Sequence, residues 1–220
     1  MKAEDNSLGR LLALSDGVFA IAMTLLALDL TVPHVTGNVT NAKLMHALAQ
    51  HSASYWAFLL SFYVIALYWG AHRRLMRSAT VAHPAVVRDT IFLLVVVAVM
   101  PFPTGLLGRY GSTPFAFVLY AAANALATLA LIVLTYDVRR CDPAREAVET
   151  PADNVALLAG WVNLGVFLIC IPGAYLLGPN GPFLLLLLLV TNRLMGLRKL
   201  AERFRLGRLV RRRPASYRSK

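Results

Sequence analysis

Few polar side chains stand inside the long apolar segments of this sequence, and these few are the candidates for chemistry. They are Ser15, Asp16, Thr24, Asn124 and Asn163. A carboxylate in an apolar helix is costly and is a functional candidate by default, so Asp16 is the most informative of them. The two asparagines are typical of hydrogen bonds between helices. No nucleophile and base lie at a recognisable catalytic spacing, and we therefore expect a protein that is not an enzyme.

Residues that bind metals do not cluster in the sequence. His34, His46 and His51 share one connecting segment without metal-ligand spacing, which is typical of solvated loop histidines. Cys141 and Cys170 lie far apart and form no CxxC pair. The sequence therefore predicts no disulfide, no metal site and no bound cofactor.

The apolar segments are long enough to cross a membrane. The chain is 58% hydrophobic and 15% charged, with a mean hydropathy of +0.60, and soluble domains are less apolar and more charged. A span needs about 20 apolar residues, and six runs approach that length. They are 8–31, 53–72, 90–108, 114–136, 154–177 and 182–197. We expect an all-α membrane protein with six transmembrane helices in one domain, 1–205, followed by a basic tail, 206–220.

The basic residues predict the orientation of these helices. Of the 22 Lys and Arg residues, 20 lie near the start of the first run, in the second and fourth connections, or from Arg193 onward. The other connections hold Lys43 and Arg109. Because positive residues favour the cytoplasmic side, we expect both termini to be cytoplasmic, in a multi-pass protein of the cell membrane.

The basic tail has two interpretations. It is typical of a stop-transfer signal, and it could also attract the anionic headgroups of membrane lipids. No recognised nucleic-acid-binding motif accompanies the charge, so we expect lipids rather than nucleic acid as partners.

The first run has two different faces when its residues are placed at about 100° each around a helix. One sector of about 100° holds small or aliphatic residues and a single hydroxyl. Its members are Gly17, Ile21, Thr24, Leu25 and Leu28. The opposite face is bulkier, and it consists of Phe19, Met23, Leu26 and Leu30.

Ser15 and Asp16 lie outside the narrow sector. We interpret Asp16 as a link between the first helix and its neighbours, with His72, Arg73 or Arg74 as candidate partners at the inner end of the second run. Trp56 and Trp69 are interpreted as interface or packing aromatics.

Two further local features are predicted. Pro101 and Pro103 in the third run, and Pro172 with Gly173 in the fifth, should kink or end a regular helix because proline removes a backbone donor. The long first connection should contain one short amphipathic turn near 44–48.

The segment from Arg10 to Asp16, Arg-Leu-Leu-Ala-Leu-Ser-Asp, resembles the RxxxFSD motif in the first helix of the transmembrane protein 175 family. Members of this family are potassium channels of endolysosomes and, in a shorter form, of prokaryotes. Leu14 replaces the usual Phe of the motif. The segments 61–77 and 100–104 resemble the second and third helices of the family, and the six-helix count suits the single-repeat prokaryotic form.

The resemblance implies a homotetramer in which four copies of the first helix line a central pore without a TVGYG filter. Carried across from the motif, the constriction falls on Ile21, the pore threonine on Thr24, and further narrow points on Leu25 and Leu28. The resemblance also implies a packing network of Arg10, Ser15 and Asp16, with His72 as a candidate partner.

The predicted function is that of a potassium-selective cation channel with K⁺ as the permeating ion. Apolar constrictions gate by dewetting, and an ion that sheds its water easily crosses them at lower cost. Asp29, at the outer end of the first run, could form an anionic ring that gathers cations or could mark the water interface. The alternatives are a proton or weakly selective cation leak, a small secondary transporter, and a non-conducting scaffold.

Overall fold

The structure, a computed structural model, describes residues 2–77, 79, 82–141 and 151–177. All regular secondary structure in these ranges is helical. The elements are α1 Lys2–Leu25, a 3₁₀ turn Leu26–Asp29, α2 Asn41–Gln50, α3 Ser52–Met76, α4 Pro84–Val99, α5 Pro101–Tyr110, α6 Pro114–Cys141 and α7 Pro151–Leu177.

Five helical segments in the described ranges are long and apolar enough to cross a membrane. They are Ser7–Asp29, Ser52–Met76, Pro84–Tyr110, Pro114–Cys141 and Asn154–Leu176. They correspond to the first five predicted runs. The sixth run, 182–197, and the basic tail, 206–220, lie outside the described residues.

The third span begins earlier than the sequence predicts and is divided in two. It starts at Pro84, where the His83 side chain accepts a hydrogen bond from the Ala85 amide at 3.3 Å, because proline suits the first turn of a helix. α4 ends at Val99 and α5 begins at Pro101, so the predicted break at Pro101 is confirmed. α7 remains helical through Pro172, so the helix does not end there, and the kink that was the other expected outcome stays a prediction.

The connection between the first two spans contains more helix than predicted. The expected short turn is α2, a helix of ten residues whose N-terminus is capped by Thr40, which accepts a hydrogen bond from the Lys43 amide at 3.3 Å. α3 begins almost at once after α2, at Ser52. None of the residues of α2 is buried.

α6 packs between two apolar clusters. On one side its Ala127 and Leu134 join a core with Phe19 of α1, Ile65 of α3 and Leu93 of α4. On the other side its residues contact α7, through a cluster that includes Phe117, Tyr120, Phe167 and Cys170. α6 is rich in alanine at these contacts, and small residues let membrane helices approach closely. α1 is therefore attached to the bundle through α3 and α4.

Buried polar groups connect α3 to α6. The Tyr68 hydroxyl donates to the Asn124 side chain at 3.3 Å and lies 2.9 Å from the Thr128 hydroxyl. The Ser61 hydroxyl donates to Tyr120 at 3.2 Å. The predicted bond between helices at Asn124 is confirmed, and such bonds keep buried polar atoms satisfied in an apolar bundle.

Candidate functional site

α1 has one face that packs against the bundle and one that does not. The packed face has residues with helical spacing that are all buried. They are Leu11, Ser15, Phe19, Ala22 and Leu26. The other face is exposed along its whole length, and we call it the open face. It consists of Gly17, Ile21, Thr24, Leu25 and Leu28, the residues of the narrow sector. Ile21 is 60% exposed and Leu28 is 77% exposed.

The C-terminal end of the open face is not α-helical. α1 ends at Leu25, and a 3₁₀ turn follows over Leu26–Asp29. A 3₁₀ helix has about three residues per turn, so side chains three positions apart eclipse one another. Leu28 therefore lies directly above Leu25, and the constant 100° step of the sequence analysis does not hold there. With a rise of about 2.0 Å per residue in this turn and about 1.5 Å in α1, the open face from Ile21 to Leu28 spans about 12 Å.

Thr24 supplies the hydroxyl of the open face. Its Oγ1 donates a hydrogen bond to the Ile21 carbonyl oxygen at 2.8 Å. The hydroxyl proton is thereby directed at the helix backbone, which leaves lone pairs of the oxygen for another partner. An oxygen in this state can accept a hydrogen bond or contact a cation.

Asp16 has a partner that the sequence analysis did not assign. Its Oδ1 accepts a hydrogen bond from Trp69 Nε1 at 2.7 Å, and the Arg73 guanidinium lies 5.1 Å from the centre of the Trp69 ring. The expected link between α1 and α3 exists, but the donor is neither His72 nor a basic residue. Residues 69, 72 and 73 share one face of α3, so the sequence indicated the correct face and the wrong donor.

Asp16 itself is exposed in this chain. Ser15 is fully buried and donates to the Leu11 carbonyl at 2.8 Å. His72 is buried too, and it meets α1 through the Phe19 ring, at 5.8 Å between ring centres. Arg10 is exposed about one and a half turns before the Ser15–Asp16 pair.

Asp29 lies at the end of the 3₁₀ turn and forms an ion pair. Its Oδ1 is 3.4 Å from Nη2 of Arg109 in α5. This pair is not predictable from the sequence, since no local pattern relates two residues so far apart.

A second missed group joins the N-terminal end of α4 to the C-terminal end of α6. Arg88 Nη2 lies 2.8 Å from Asp89 Oδ1 and 3.3 Å from Asp137 Oδ2, and Asp89 is buried. Because the third run was predicted to begin at residue 90, Asp89 was placed outside it. A carboxylate that near an apolar run was a signal that could have been used. Within the described ranges, no three His, Cys, Asp or Glu residues come together as metal ligands.

Comparison with known proteins shows that this chain is similar to a class of membrane proteins, the potassium channels. The family model described as endosomal/lysosomal potassium channel TMEM175 matches residues 10–101. A potassium channel of Streptomyces collinus is 38% identical over 126 residues, which cover 57% of this chain and 60% of that protein. A potassium channel of Chamaesiphon minutus is 40% identical over 107 residues, which cover 49% of this chain and 52% of that protein. The chain thus spans about half to three fifths of the length of these relatives.

A solved structure extends the similarity to nearly the whole chain. The crystal structure of a lysosomal potassium-selective channel TMEM175 homologue from Chamaesiphon minutus matches with a TM-score of 0.72 and 26% identity, over 88% of this chain and 98% of that one. The fold is that of a multi-pass α-helical membrane protein. The resemblance to the TMEM175 family, predicted from the motif that begins at Arg10, is confirmed by the family model, the relatives and the solved structure.

Proposed function

We propose that this chain is the subunit of a potassium-selective channel, a homotetramer of six-helix subunits in the cell membrane with both termini cytoplasmic. In this assembly four copies of α1 surround a central pore. The observation that carries the proposal is the open face of α1, which is exposed from Gly17 to Leu28 while the opposite face is packed in the bundle. The relatives and the solved structure that it resembles are named as potassium channels.

The exposure of Asp16 argues against lipid as the neighbour of this side of α1. Asp16 lies in the segment Ser7–Asp29, one of the candidate spans. A charged side chain near the bilayer centre costs about 2.5–3.5 kcal/mol on insertion scales, so such groups face protein or water rather than lipid. Further copies of the chain around an aqueous axis satisfy this requirement, and the apolar open face beside Asp16 would then line the axis.

The proposed conduction path is an apolar constriction. Rings of Ile21, Leu25 and Leu28 supply no oxygen atoms to replace lost water, so an ion must shed part of its hydration shell to pass. Potassium holds its water less tightly than sodium and crosses at lower cost. The lone pairs on a ring of Thr24 hydroxyls would recover part of that cost. Selectivity then arises without a TVGYG carbonyl filter.

A proton or weakly selective cation leak is the second candidate. It is favoured by the endosomal/lysosomal proton channel TMEM175 of Gallus gallus, 36% identical over 85 residues that cover 36% of this chain and 17% of that protein. An apolar constriction discriminates less strictly than a carbonyl filter, which is compatible with this candidate.

The proposal is tested with the purified full chain in two steps. A particle of four subunits in detergent, measured by light scattering, supports the pore, and a monomer contradicts it. In liposomes, a K⁺ gradient should drive a flux that does not saturate and exceeds the flux in an equal Na⁺ gradient. Equal K⁺ and Na⁺ fluxes favour the leak, saturable flux coupled to another solute favours a secondary transporter, and no flux favours a scaffold.

A further inference from the structure

The outer end of the open face is held by α5 through an ion pair. Asp29 closes the 3₁₀ turn that contains Leu28, and its Oδ1 lies 3.4 Å from Nη2 of Arg109. The two side chains are 35% and 58% exposed, so the pair lies at the edge of the bundle where water reaches it. Leu26 in the same turn is fully buried. The turn is thus fixed on one side by a buried leucine and on the other by a charge contact.

The approach of α5 to this turn depends on a glycine. A Cβ atom on residue 105 would lie 2.7 Å from Asp29 Oδ2 and 3.0 Å from its Cγ. Both distances are shorter than ordinary van der Waals contact, so any side chain at Gly105 would displace the Asp29 carboxylate. Glycine is therefore the residue type that permits this contact.

One turn further along α5, Gly108 makes a similar close approach to α3. A Cβ atom there would lie 3.0 Å from the Ser54 Cα, and the Ser54 hydroxyl donates to the Gly108 carbonyl at 3.1 Å. α5 is thereby fastened to α3, and Arg109 follows directly after this contact. A fixed α5 can determine where the Asp29 carboxylate sits.

We propose that Asp29 and Arg109 are positioning residues of the pore: their ion pair sets the rotation of the 3₁₀ turn and thereby the aperture of the Leu28 ring. This inference rests on the proposed channel function. Leu28 eclipses Leu25 in the turn. A small rotation of the turn therefore moves the Leu28 side chain away from its position above Leu25 and changes the width of the pore at the Leu28 ring. Asp29 thus affects conduction mainly by fixing the position of the turn, and not mainly by attracting cations with its charge.

The rival explanation is an anionic ring of Asp29 that attracts cations, and two charge-removing variants separate the ideas. In a ring, Asp29→Asn lowers K⁺ conductance at low ionic strength, whereas Arg109→Gln raises it because Asp29 loses its counter-charge. If the pair positions the turn, both variants raise the Na⁺ to K⁺ permeability ratio. The rise should be about two- to fivefold, which corresponds to the loss of one exposed ion pair. The double variant should shift the ratio no further than either single variant.

Gly105→Ala provides a test that keeps both charges. It should raise the Na⁺ to K⁺ permeability ratio as Asp29→Asn does, and it should have little further effect in an Asp29→Ala background, where no carboxylate is displaced. Gly165→Ala is the matched control, because a Cβ atom at residue 165 meets nothing within 4 Å.

The measurements are bi-ionic reversal potentials of the full chain in planar bilayers, made on variants that elute as the wild-type oligomer does. Opposite effects of Asp29→Asn and Arg109→Gln on conductance, or equal ratios for Gly105→Ala and Gly165→Ala, would overturn the inference while leaving the channel in place. A wild-type chain that passes no current contradicts the proposed function itself and, with it, this inference.

Discussion

At the scale of single residues, the best-defined polar contact between α1 and α3 is the hydrogen bond from Trp69 to Asp16. At 2.7 Å it has the length of a charge-assisted bond. It joins the middle of the first span to the last third of α3, and the Arg73 guanidinium lies over the Trp69 ring. The carboxylate is therefore oriented by α3, and the role that we propose for it is in assembly rather than in ion contact.

Trp69→Phe should weaken this link without removing an aromatic ring. The variant leaves the Asp16 carboxylate without its donor, so we expect a loss of about 1–3 kcal/mol in stability. Thermal unfolding of the purified protein in detergent measures the loss. Trp56→Phe is the control, since Trp56 is 71% exposed on the same helix. Equal melting temperatures for the two variants would show that the bond contributes nothing.

Asp16→Ala should damage assembly more than it changes ion preference. The side chain lies off the open face, and its removal leaves the Trp69 indole N–H without an acceptor. We expect a lower yield of oligomer, measured by size-exclusion chromatography, and an unchanged permeability ratio in the oligomer that forms. A normal yield combined with altered selectivity would place Asp16 in the ion path.

Residue partners were the least predictable part of the site. The 3.6-residue period correctly predicted that Asp16 meets the face of α3 that contains Trp69 and His72. It could not select Trp69, because an indole was read as an interface aromatic and a histidine as the more obvious partner of a carboxylate. The Asp29–Arg109 pair depends on the packing of α5, which no local pattern in the sequence encodes.

At the scale of elements, α1 and α5 show how local chemistry sets the geometry of the open face. Pro101 ends α4 and starts α5, because it cannot donate to the preceding turn. The separate short helix can then approach α3 and the 3₁₀ turn through Gly105 and Gly108. The break and the glycines together bring Arg109 to the end of the open face.

Gly108→Ala should separate α5 from α3. The added methyl group would lie 3.0 Å from the Ser54 Cα, a backbone atom that cannot rotate away. Overpacking of this kind costs about 1–3 kcal/mol, which exceeds the gain of about 0.5–1 kcal/mol that alanine brings to a helix. A melting temperature that falls below that of Gly165→Ala confirms the close contact. A rise in both variants would contradict it.

Most elements were predictable because long apolar runs and prolines act locally. The first five spans and the break at Pro101 follow from them. The 3₁₀ turn over Leu26–Asp29 was not predicted, since the sequence there continues the helical pattern and only the contacts with α3 and α5 distinguish the turn. α2 was predicted as a shorter turn because its few apolar residues are interspersed with polar ones.

At the scale of the whole molecule, the distribution of charge and the open face are both compatible with the proposed six-span channel subunit. Of the 22 Lys and Arg residues, 20 lie where a six-span chain with cytoplasmic termini would place them inside. In that proposed orientation the open face would run from the cytoplasmic half of the membrane toward the connection between the first two spans. In the proposed channel, further copies of the chain, rather than lipid, adjoin this face.

Topology is tested with reporters that are active on one side of the membrane. Fusions after Lys220 and within the loop near Arg139 should report the cytoplasm, and a fusion near Asn38 should report the outside, because of the charge asymmetry. An external reading at Lys220 would remove the six-span arrangement. Agreement at Arg139 and Asn38 alone would support only the first part of the chain.

The most direct test of the central claim compares two residues on opposite faces of α1. Ile21→Asn should wet the proposed constriction and supply polar ligands, so the Na⁺ to K⁺ permeability ratio should rise. Met23 is half-buried on the packed face, and Met23→Leu nearly conserves the side-chain volume. The Na⁺ to K⁺ permeability ratio of the Met23→Leu variant should therefore stay at the wild-type value. Bi-ionic reversal potentials of the full chain measure both. A shift for Met23→Leu with none for Ile21→Asn would contradict the account and place the pore elsewhere.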